Sequence, residues 1–309
     1  MSDTPAISGR DVVKRYGELT AVAGISFEVA RGECFGFLGP NGAGKTTTMR
    51  MLYGACGLTS GSLLILGRDV GTDLRAIKSR LGVVPQEDSL DTELTVIENL
   101  VVFARYFGLK GRAAVERADH LLAFFQLEAK REAKVEMLSG GMKRRLVTAR
   151  ALIAEPDMLI LDEPTTGLDP AARHLLWQKL RQLKRQGTTV VLTTHYMDEA
   201  QRLCDRLVVI DHGKIIAEGT PAELIARHVG KDVVEVVLDS DETERVAAAL
   251  GAAGEKVEHL PDMLLCYTQD TGATRAALAK AGVPAGAAFE RRGSLEDVFL
   301  RLTGRRLSD

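Results

Sequence analysis

The chain has 309 residues, of which 45% are hydrophobic and 27% charged, the composition of an ordinary globular protein. With 40 basic and 42 acidic residues the net charge is −2, so no overall field favours nucleic acid or anionic lipid as a partner. The length favours one large and one small domain.

The cysteines and the N-terminus bear on the compartment. Cys34, Cys56, Cys204 and Cys266 lack metal-ligand spacing and form no disulfide framework, which favours a reducing compartment. The first residues lack the basic and apolar regions of a signal peptide, and the longest uncharged run, 51–67, contains glycine and serine instead of about 20 apolar residues. We expect a soluble, cytoplasmic chain that needs another subunit to act at a membrane.

The chain begins with two predicted edge strands, Ile7–Val13 and Leu19–Val29, with Tyr16 between them. An aromatic side chain beside a turn is usually a packing residue, but it can also offer a flat face to a nucleobase. The phosphate-binding motif that follows favours stacking as the role of Tyr16.

That motif, Gly39–Thr46, fits G-x-x-x-x-G-K-[ST], the pattern of a P-loop; a chance glycine-rich turn is the alternative. A buried strand is predicted before it and a helix after it, as the motif requires. Glycines let backbone N–H groups close around phosphate oxygens, Lys45 is expected to reach the β- and γ-phosphates, and the Thr46 hydroxyl to bind Mg²⁺. The expected nucleotide contacts are Gly39, Pro40, Asn41, Gly42, Ala43, Gly44, Lys45, Thr46 and Thr47.

A later predicted strand, 81–84, stops at Pro85 and Gln86. Gln86 is either an ordinary polar loop residue or, at the C-terminal edge of an open α/β sheet, a ligand contact. In the second case Gln86 approaches the γ-phosphate, Mg²⁺ or the attacking water.

Residues 95–137 break the alternation of strands and helices. Thr95 and Glu98 have the pattern of a capping box, and a second helix is predicted over Arg112–Phe125. We expect a helical insertion that buries its own apolar face or presents it to a partner.

The insertion is followed by Ser139, which can cap a helix that begins with Gly140 and Gly141. The pair of glycines is either a hinge or a second anion-binding helix start. Because this loop contains no lysine, the second interpretation makes it a γ-phosphate site used in trans.

Two acidic residues, Asp162 and Glu163, follow the apolar run 158–161, which predicts a buried parallel strand. Adjacent carboxylates at a strand end are costly unless a cation meets them, so a merely charged strand terminus is the weaker interpretation. We expect Asp162 to hold Mg²⁺ and Glu163 to polarise the attacking water.

Asp169, followed by proline, is a predicted N-cap of a helix that extends to Arg185. The next strand, 188–193, brings His195 to the same sheet edge. A lone histidine is more often structural, but at this position we expect His195 to contact a γ-phosphate.

From residue 230 the predicted order is β-α-β-β-α-β, which indicates a small ferredoxin-like domain over 230–309. Two of its strands are expected to pair around a turn at Pro261 and Asp262. The domain shows no catalytic or metal-binding pattern, so a regulatory, dimerising or subunit-docking module and a stabilising lid are both open.

In this order and spacing, the motifs resemble those of ABC-transporter ATP-binding cassettes, over about residues 6–228. They correspond to the Walker A, Q-loop, signature, Walker B, D-loop and H-loop motifs, at Gly39–Thr46, Gln86, Leu138–Met142, Met158–Glu163, Leu168–Asp169 and His195. The resemblance implies an α/β P-loop NTPase fold with a mixed sheet core, an antiparallel β subdomain and a helical insertion at about 95–137. The ATP-binding domain would cover residues 1–229.

Details favour one branch of that family. Met142 departs from the glutamine that commonly ends the signature motif, and Leu138–Leu146 looks like the branch of daunorubicin-resistance and nodulation-factor-export ATPases. Residues 294–304 are similar to the C-terminal end of the same branch. Cys34–Gly36 and Ala172–Trp177 are most similar to the nodulation-factor-export members.

The resemblance implies an ATP-hydrolysing subunit of an ABC-2-like exporter, with ATP and Mg²⁺ as cofactors. It implies catalytic roles for Glu163, His195 and Gln86, Mg²⁺ contacts for Thr46, Gln86 and Asp162, and nucleotide contacts for Tyr16, the P-loop, Ser139, Gly140, Gly141 and Asp169. Two copies would pair head to tail, each P-loop facing the signature motif of the other. A separate membrane permease would carry a drug-like, lipid-linked or oligosaccharide substrate, with this chain peripheral on the inner face of the cell membrane and no nucleic acid partner.

Two other functions stay open at this point. One is a soluble ABC-type ATPase that acts on nucleic acid or ribosomes, although such proteins usually join two cassettes or carry long coiled-coil inserts, and neither is predicted here. The other is a switch in which the C-terminal domain senses a ligand.

Overall fold

The chain divides into two compact units, Met1–Glu218 and Gly219–Asp309, in a computed structural model that describes residues 4–238, 240–260 and 263–304. The boundary expected at 229/230 follows the helix Pro221–His228. This helix belongs to the second unit, where it packs against the last helix, Leu295–Thr303. The turn predicted at Pro261 and Asp262 lies outside the described residues.

The first unit alternates strands and helices, and a helical segment interrupts the alternation after β6. Its elements are β1 (Ile7–Tyr16), β2 (Leu19–Val29), β3 (Cys34–Leu38), α1 (Lys45–Leu52), β4 (Ser60–Ile65), β5 (Arg68–Asp69), α2 (Leu74–Lys78), β6 (Leu81–Val84), α3 (Val96–Tyr106), α4 (Gly111–Phe125), α5 (Gly140–Ala151), β7 (Met158–Asp162), α6 (Pro170–Arg185), β8 (Thr189–Thr194), α7 (Met197–Leu203), β9 (Arg206–Asp211) and β10 (Lys214–Gly219). Among the described residues, no helix combines the length and the apolar composition needed to cross a membrane.

A four-stranded antiparallel sheet has the order β2-β1-β4-β5. β1 pairs with β2 on one side and with β4 on the other, with Ile7 opposite both Val29 and Ile65. The prediction that β1 is an edge strand was therefore wrong. Its second neighbour comes from a segment beyond the P-loop helix, and a local sequence pattern does not indicate such a distant pairing.

A six-stranded sheet, in the order β10-β9-β3-β8-β7-β6, carries the candidate site. β3 pairs in parallel with β8 and β9, and β7 pairs in parallel with β6 and β8. β3 is buried along its whole length, and the rings of Phe35, Phe37 and Phe27 pack together with centroids 5.1–6.3 Å apart. Because these strands run in one direction, their C-terminal ends bring the residues that follow them to one edge.

The helical segment consists mainly of α3 and α4. The predicted capping box is present: Thr95 Oγ1 accepts a hydrogen bond from the Glu98 N–H, and the Thr95 N–H donates to Glu98 Oε2. A bridge between Thr95 and Lys134 joins the two ends of the segment. α4 packs on both α3 and α5, and its buried side chains include Leu122 and Phe125.

The second unit contains α8 (Pro221–His228), β11 (Asp232–Val237), α9 (Ser240–Ala252), β12 (Lys256–Leu260), β13 (Met263–Thr268), α10 (Thr271–Lys280), β14 (Ala288–Arg292) and α11 (Leu295–Thr303). The sheet order is β12-β13-β11-β14, and each neighbouring pair is antiparallel. Val234, Val236, Leu264 and Cys266 form a core with residues of α9 and α10 on one face of this sheet. β11 to β14, with their two helices, follow one another in β-α-β-β-α-β order.

Candidate active site

A cavity of about 530 Å³ opens at the C-terminal edge of the six-stranded sheet. Half of the predicted site residues lie in its wall, namely Tyr16, Asn41, Gly42, Gly44, Lys45, Thr46, Thr47, Gln86 and Glu163. The sequence did not indicate five further wall residues, Leu19, Thr20, Ala21, His212 and Gly213, which come from β2 and from the turn between β9 and β10.

The P-loop wraps around its own lysine. Gly44 has φ 103°, and a Cβ atom there would lie 2.4 Å from the Ala21 carbonyl oxygen, so this position requires glycine. Lys45 is buried, and its Nζ donates hydrogen bonds to the carbonyl oxygens of Gly39 and Pro40 at 2.8 and 3.0 Å. Burial lowers the pKa of Lys45, although the neighbouring Glu163 carboxylate acts in the opposite direction. The loop thus holds one buried cation where phosphate would bind.

Behind the P-loop, the Asp162 carboxylate receives two hydroxyl groups. Thr46 Oγ1 donates to Asp162 Oδ1 at 3.2 Å, and Thr193 Oγ1 donates to the same oxygen from β8. Burial raises the pKa of Asp162, and the two hydroxyl donors oppose that rise. Thr193 was missed from the sequence; it lies opposite Asp162 in the pairing of β7 and β8.

Glu163 is held in one conformation by three neighbours. Its backbone has φ 46°, a strained value for a residue other than glycine, and its N–H donates to Thr193 Oγ1 at 2.9 Å. Thr166 Oγ1 donates to Glu163 Oε2 at 3.2 Å. His195 Nδ1 lies 3.3 Å from the same oxygen, in ion-pair range but without the alignment of a hydrogen bond.

This environment keeps Glu163 ionised. The His195 imidazole lowers the pKa of Glu163, and it prevails over burial, which acts in the opposite direction. Glu163 Oε1 also lies 3.8 Å from Lys45 Nζ. A buried wall residue with a fixed carboxylate is suited to orient a water molecule and accept its proton.

Tyr16 forms the outer rim of the cavity and is 46% exposed. Lys14 Nζ lies 4.9 Å from the centre of its ring, so one face is already covered by a cation. A hydrogen bond with the Cys56 thiol raises the pKa of the Tyr16 hydroxyl. The other ring face is the one that a nucleobase could stack on.

Four further predicted contacts, Ser139, Gly140, Gly141 and Asp169, form a second group that is not part of the cavity wall. Ser139 caps α5 by accepting a hydrogen bond from the Met142 N–H at 3.3 Å, and both Ser139 and Gly140 are exposed. Asp169 caps α6 by accepting from the Ala172 N–H at 2.9 Å. A Cβ atom on Gly141 would lie 4.0 Å from Asp169 Oδ2. The predicted nucleotide contacts therefore form two groups, of which one lines the cavity.

Comparison with known proteins defines the class. The family model described as ABC transporter matches residues 22–166. The ATP-binding cassette MJ0796, in a dimeric post-hydrolysis state bound to ADP and Pi, is similar in structure, with a TM-score of 0.65, 27% identity and coverage of 69% of this chain and 98% of that one. CbiO1 from Clostridium perfringens, part of the ABC transporter complex cbiONQ, gives a TM-score of 0.67 and 28% identity over 72% of this chain and 92% of that one.

Whole-length relatives narrow the class. Nod factor export ATP-binding protein I of Ralstonia nicotianae is 49% identical over 100% of this chain and 97% of its own length. The protein of the same name from Rhizobium sp. is 50% identical over 98% of both chains. The family model described as nodulation factor export protein NodI, C-terminal domain, matches residues 243–304. The chain belongs to the ABC transporter family, as an ATP-binding cassette that hydrolyses ATP, and the predicted family and fold class are confirmed.

Proposed function

We propose that this chain is the ATP-hydrolysing subunit of an exporter, and that it works as a pair of cassettes on a separate permease at the inner face of the cell membrane. The similarity over the whole chain to proteins named for Nod factor export supports this direction of transport. Of the three substrate classes that the sequence leaves open, we propose the oligosaccharide class for the same reason.

Mg²⁺ is the proposed metal of the site. Magnesium prefers hard oxygen ligands, and the Thr46 hydroxyl and Asp162 carboxylate oxygens lie 3.2 Å apart next to the P-loop. Gln86 offers a further oxygen in the cavity wall. When bound, the metal neutralises phosphate charge. The chain's own residues do the rest: Lys45 binds the β- and γ-phosphates, Glu163 orients water and accepts its proton, and His195 holds Glu163.

The proposal that two cassettes pair is supported mainly by the separation of the predicted nucleotide contacts into two groups. The cavity contains the Lys45 ammonium, the Glu163 carboxylate and the Tyr16 ring, on which a nucleobase could stack. In contrast, Ser139–Gly141 offers only a helix N-terminus beside Asp169. A helix N-terminus favours an anion, and the phosphate nearest to it would belong to another copy. Head-to-tail pairing supplies each cavity with the helix start that it lacks.

A second groove, of about 760 Å³, is the proposed contact with the permease. Arg75 and Lys78 of α2 line one side, and Tyr106 and Phe107 at the end of α3 line the other; Tyr106 is 80% exposed. This combination suits a segment with both apolar and acidic side chains. α2 leads directly into β6, and β6 ends beside Gln86 in the cavity wall. A movement of the permease against the groove could therefore be transmitted to the cavity through these two elements.

The test uses inside-out membrane vesicles that contain a co-expressed multi-span permease, together with a labelled Nod factor. The full chain should bind these vesicles and drive ATP-dependent uptake. Lys78→Glu should weaken binding to the vesicles, while the matched change Lys231→Glu, an exposed lysine of the second unit, should not. Binding to ribosomes or DNA instead of the vesicles would overturn the proposal.

A further inference from the structure

A buried arginine of α5, Arg144, contacts both strand ends that carry catalytic residues. The side chain is 5% exposed. A guanidinium group has five N–H donors in a fixed plane, and all five are used here. The acceptors are the main-chain carbonyl oxygens of Pro85, Gln86, Asp162, Glu163 and Pro164, at distances of 2.5–3.3 Å.

The donors divide between two strands. Nη1 donates to the carbonyls of Pro85 and Gln86, which follow β6. Nη2 and Nε donate to three consecutive carbonyls, which begin with Asp162 at the end of β7. β6 and β7 are neighbours in the sheet, so one flat group spans the gap between their ends. A lysine could not do this, because its three donors radiate from one atom.

Simple packing does not explain this choice of residue. A buried guanidinium loses its hydration, and a helix can be attached to a sheet at lower cost by an apolar side chain. The nearest carboxylate partner, Asp88, is 3.9 Å away and 40% exposed, so it compensates little of that cost. The full set of carbonyl contacts is the feature that only arginine provides.

The position of Arg144 along α5 shows which two parts of the cassette its hydrogen bonds connect. α5 begins at the helix start that follows Ser139, a little over one turn before Arg144. The carbonyls at its other end belong to the segments of Gln86 and Glu163, whose side chains line the cavity. Arg144 therefore joins a cassette's own nucleotide cavity to the helix start that it offers to its partner.

We propose that Arg144 is a positioning residue that couples the two ATP sites of the cassette pair. When ATP rearranges the ends of β6 and β7, Arg144 moves the N-terminus of α5 with them and so aligns Ser139–Gly141 with the phosphate of the other copy. The inference rests on the proposed head-to-tail pair. It predicts cooperative ATP use that depends on the arginine fork and not on positive charge alone.

The test compares Arg144→Lys and Arg144→Gln with Arg145→Lys in the full chain. Arg145 is the matched control, because its guanidinium also donates to main-chain carbonyls, those of Gly141 at the same helix start and of Phe125 and Gln126 at the end of α4, but does not reach the strand ends. Each change is made alone, for ATP hydrolysis, and together with Glu163→Gln, for ATP-dependent dimerisation measured by light scattering. Binding of a fluorescent ATP analogue to dilute monomer is measured in parallel.

Both Arg144 variants should raise the ATP concentration for half-maximal dimerisation about tenfold and bring the Hill coefficient of hydrolysis towards one. Their affinity for the analogue as monomers should stay within about twofold, and Arg145→Lys should match the parent protein. If Glu163→Gln alone fails to dimerise with ATP, the proposed pair is wrong. If it dimerises and Arg144→Lys does so at the same ATP concentration, only the coupling role is wrong. An equal effect of Arg145→Lys, or loss of folding in both Arg144 variants, would also overturn it in favour of a structural role.

Discussion

The chain contains two helix starts suited to phosphate, and they differ in how complete they are. The P-loop before α1 holds the buried Lys45 and lies beside the carboxylates of Asp162 and Glu163. The start of α5 is exposed, is capped by Ser139, and has no lysine in its loop. The same unpaired N–H groups and the same helix dipole are present at both.

The two helix starts differ in the chemical groups that the chain supplies for phosphate binding. Around the start of α1 the sequence supplies the Lys45 cation, the Thr46 hydroxyl and the Glu163 carboxylate as a general base. This site can therefore hold a nucleotide by itself. At α5 the sequence supplies only the backbone, which can stabilise an anion but cannot select or hold ATP alone. In the proposed head-to-tail pair, the other copy brings a phosphate to this weaker helix start. Changes at the two sites should therefore have different effects on binding and on turnover.

The largest expected effect comes from Glu163→Gln. The amide keeps the shape but cannot accept a proton from water, so the rate of hydrolysis should fall about 10²- to 10⁴-fold. ATP should still bind and should hold two copies together, which size-exclusion chromatography with and without ATP would detect. Hydrolysis at the wild-type rate would remove Glu163 from its assigned role.

Lys45→Ala should have the second-largest effect. It removes the buried ammonium group whose hydrogen bonds to the Gly39 and Pro40 carbonyls place it inside the P-loop. Loss of a charged hydrogen-bonding group should weaken nucleotide affinity about 10- to 100-fold. Titration calorimetry with an ATP analogue measures this directly. Tight binding by Lys45→Ala would contradict the P-loop assignment and, with it, the contrast between the two helix starts.

A smaller effect is expected from Ser139→Ala at the second helix start. The affinity of dilute monomer for ATP should not change, whereas hydrolysis at high protein concentration should fall about tenfold, since one helix cap contributes about 1 kcal/mol. Thr95→Ala is the matched control, because it removes the cap of α3 away from the nucleotide contacts. If Ser139→Ala weakened binding by the monomer, α5 would be acting in its own site and not in trans.

The smallest effect concerns pH. Burial lowers the pKa of Lys45, and only its ammonium form attracts phosphate. ATP affinity should therefore be complete below the lowered pKa and decrease as the pH rises through it, before the ordinary lysine value of about 10.4 is reached. The check is the affinity of wild type and Lys45→Arg from neutral to alkaline pH. The arginine variant does not titrate in this range, so an identical decline in both would assign the effect to another group.

The local features of the site follow from the sequence because each depends on a few adjacent residues. The P-loop, the capping box at Thr95 and the N-caps at Ser139 and Asp169 are short-range patterns with one physical solution. The ends of buried strands also follow from apolar runs that stop at polar residues. The order of motifs was then enough to indicate the family and its chemistry.

Pairings between distant segments did not follow from the sequence. Neighbouring residues carry no signal that β1 lies between β2 and β4, or that Thr193 bonds to Asp162 across two strands. Arg144 reads as one more basic residue of α5, and only the sheet brings its five carbonyl acceptors within reach.

The P-loop sequence by itself therefore determined what this protein binds, because phosphate recognition needs a short run of glycines, one lysine and a helix start. Tertiary structure alone decided which of the predicted site residues lie around one cavity. It put Gln86 and Glu163 around the Lys45 cavity and left Ser139–Gly141 exposed outside it. The reason is physical: backbone and side-chain chemistry are local, whereas the distance between two strand ends or helix starts is fixed only when the sheet forms.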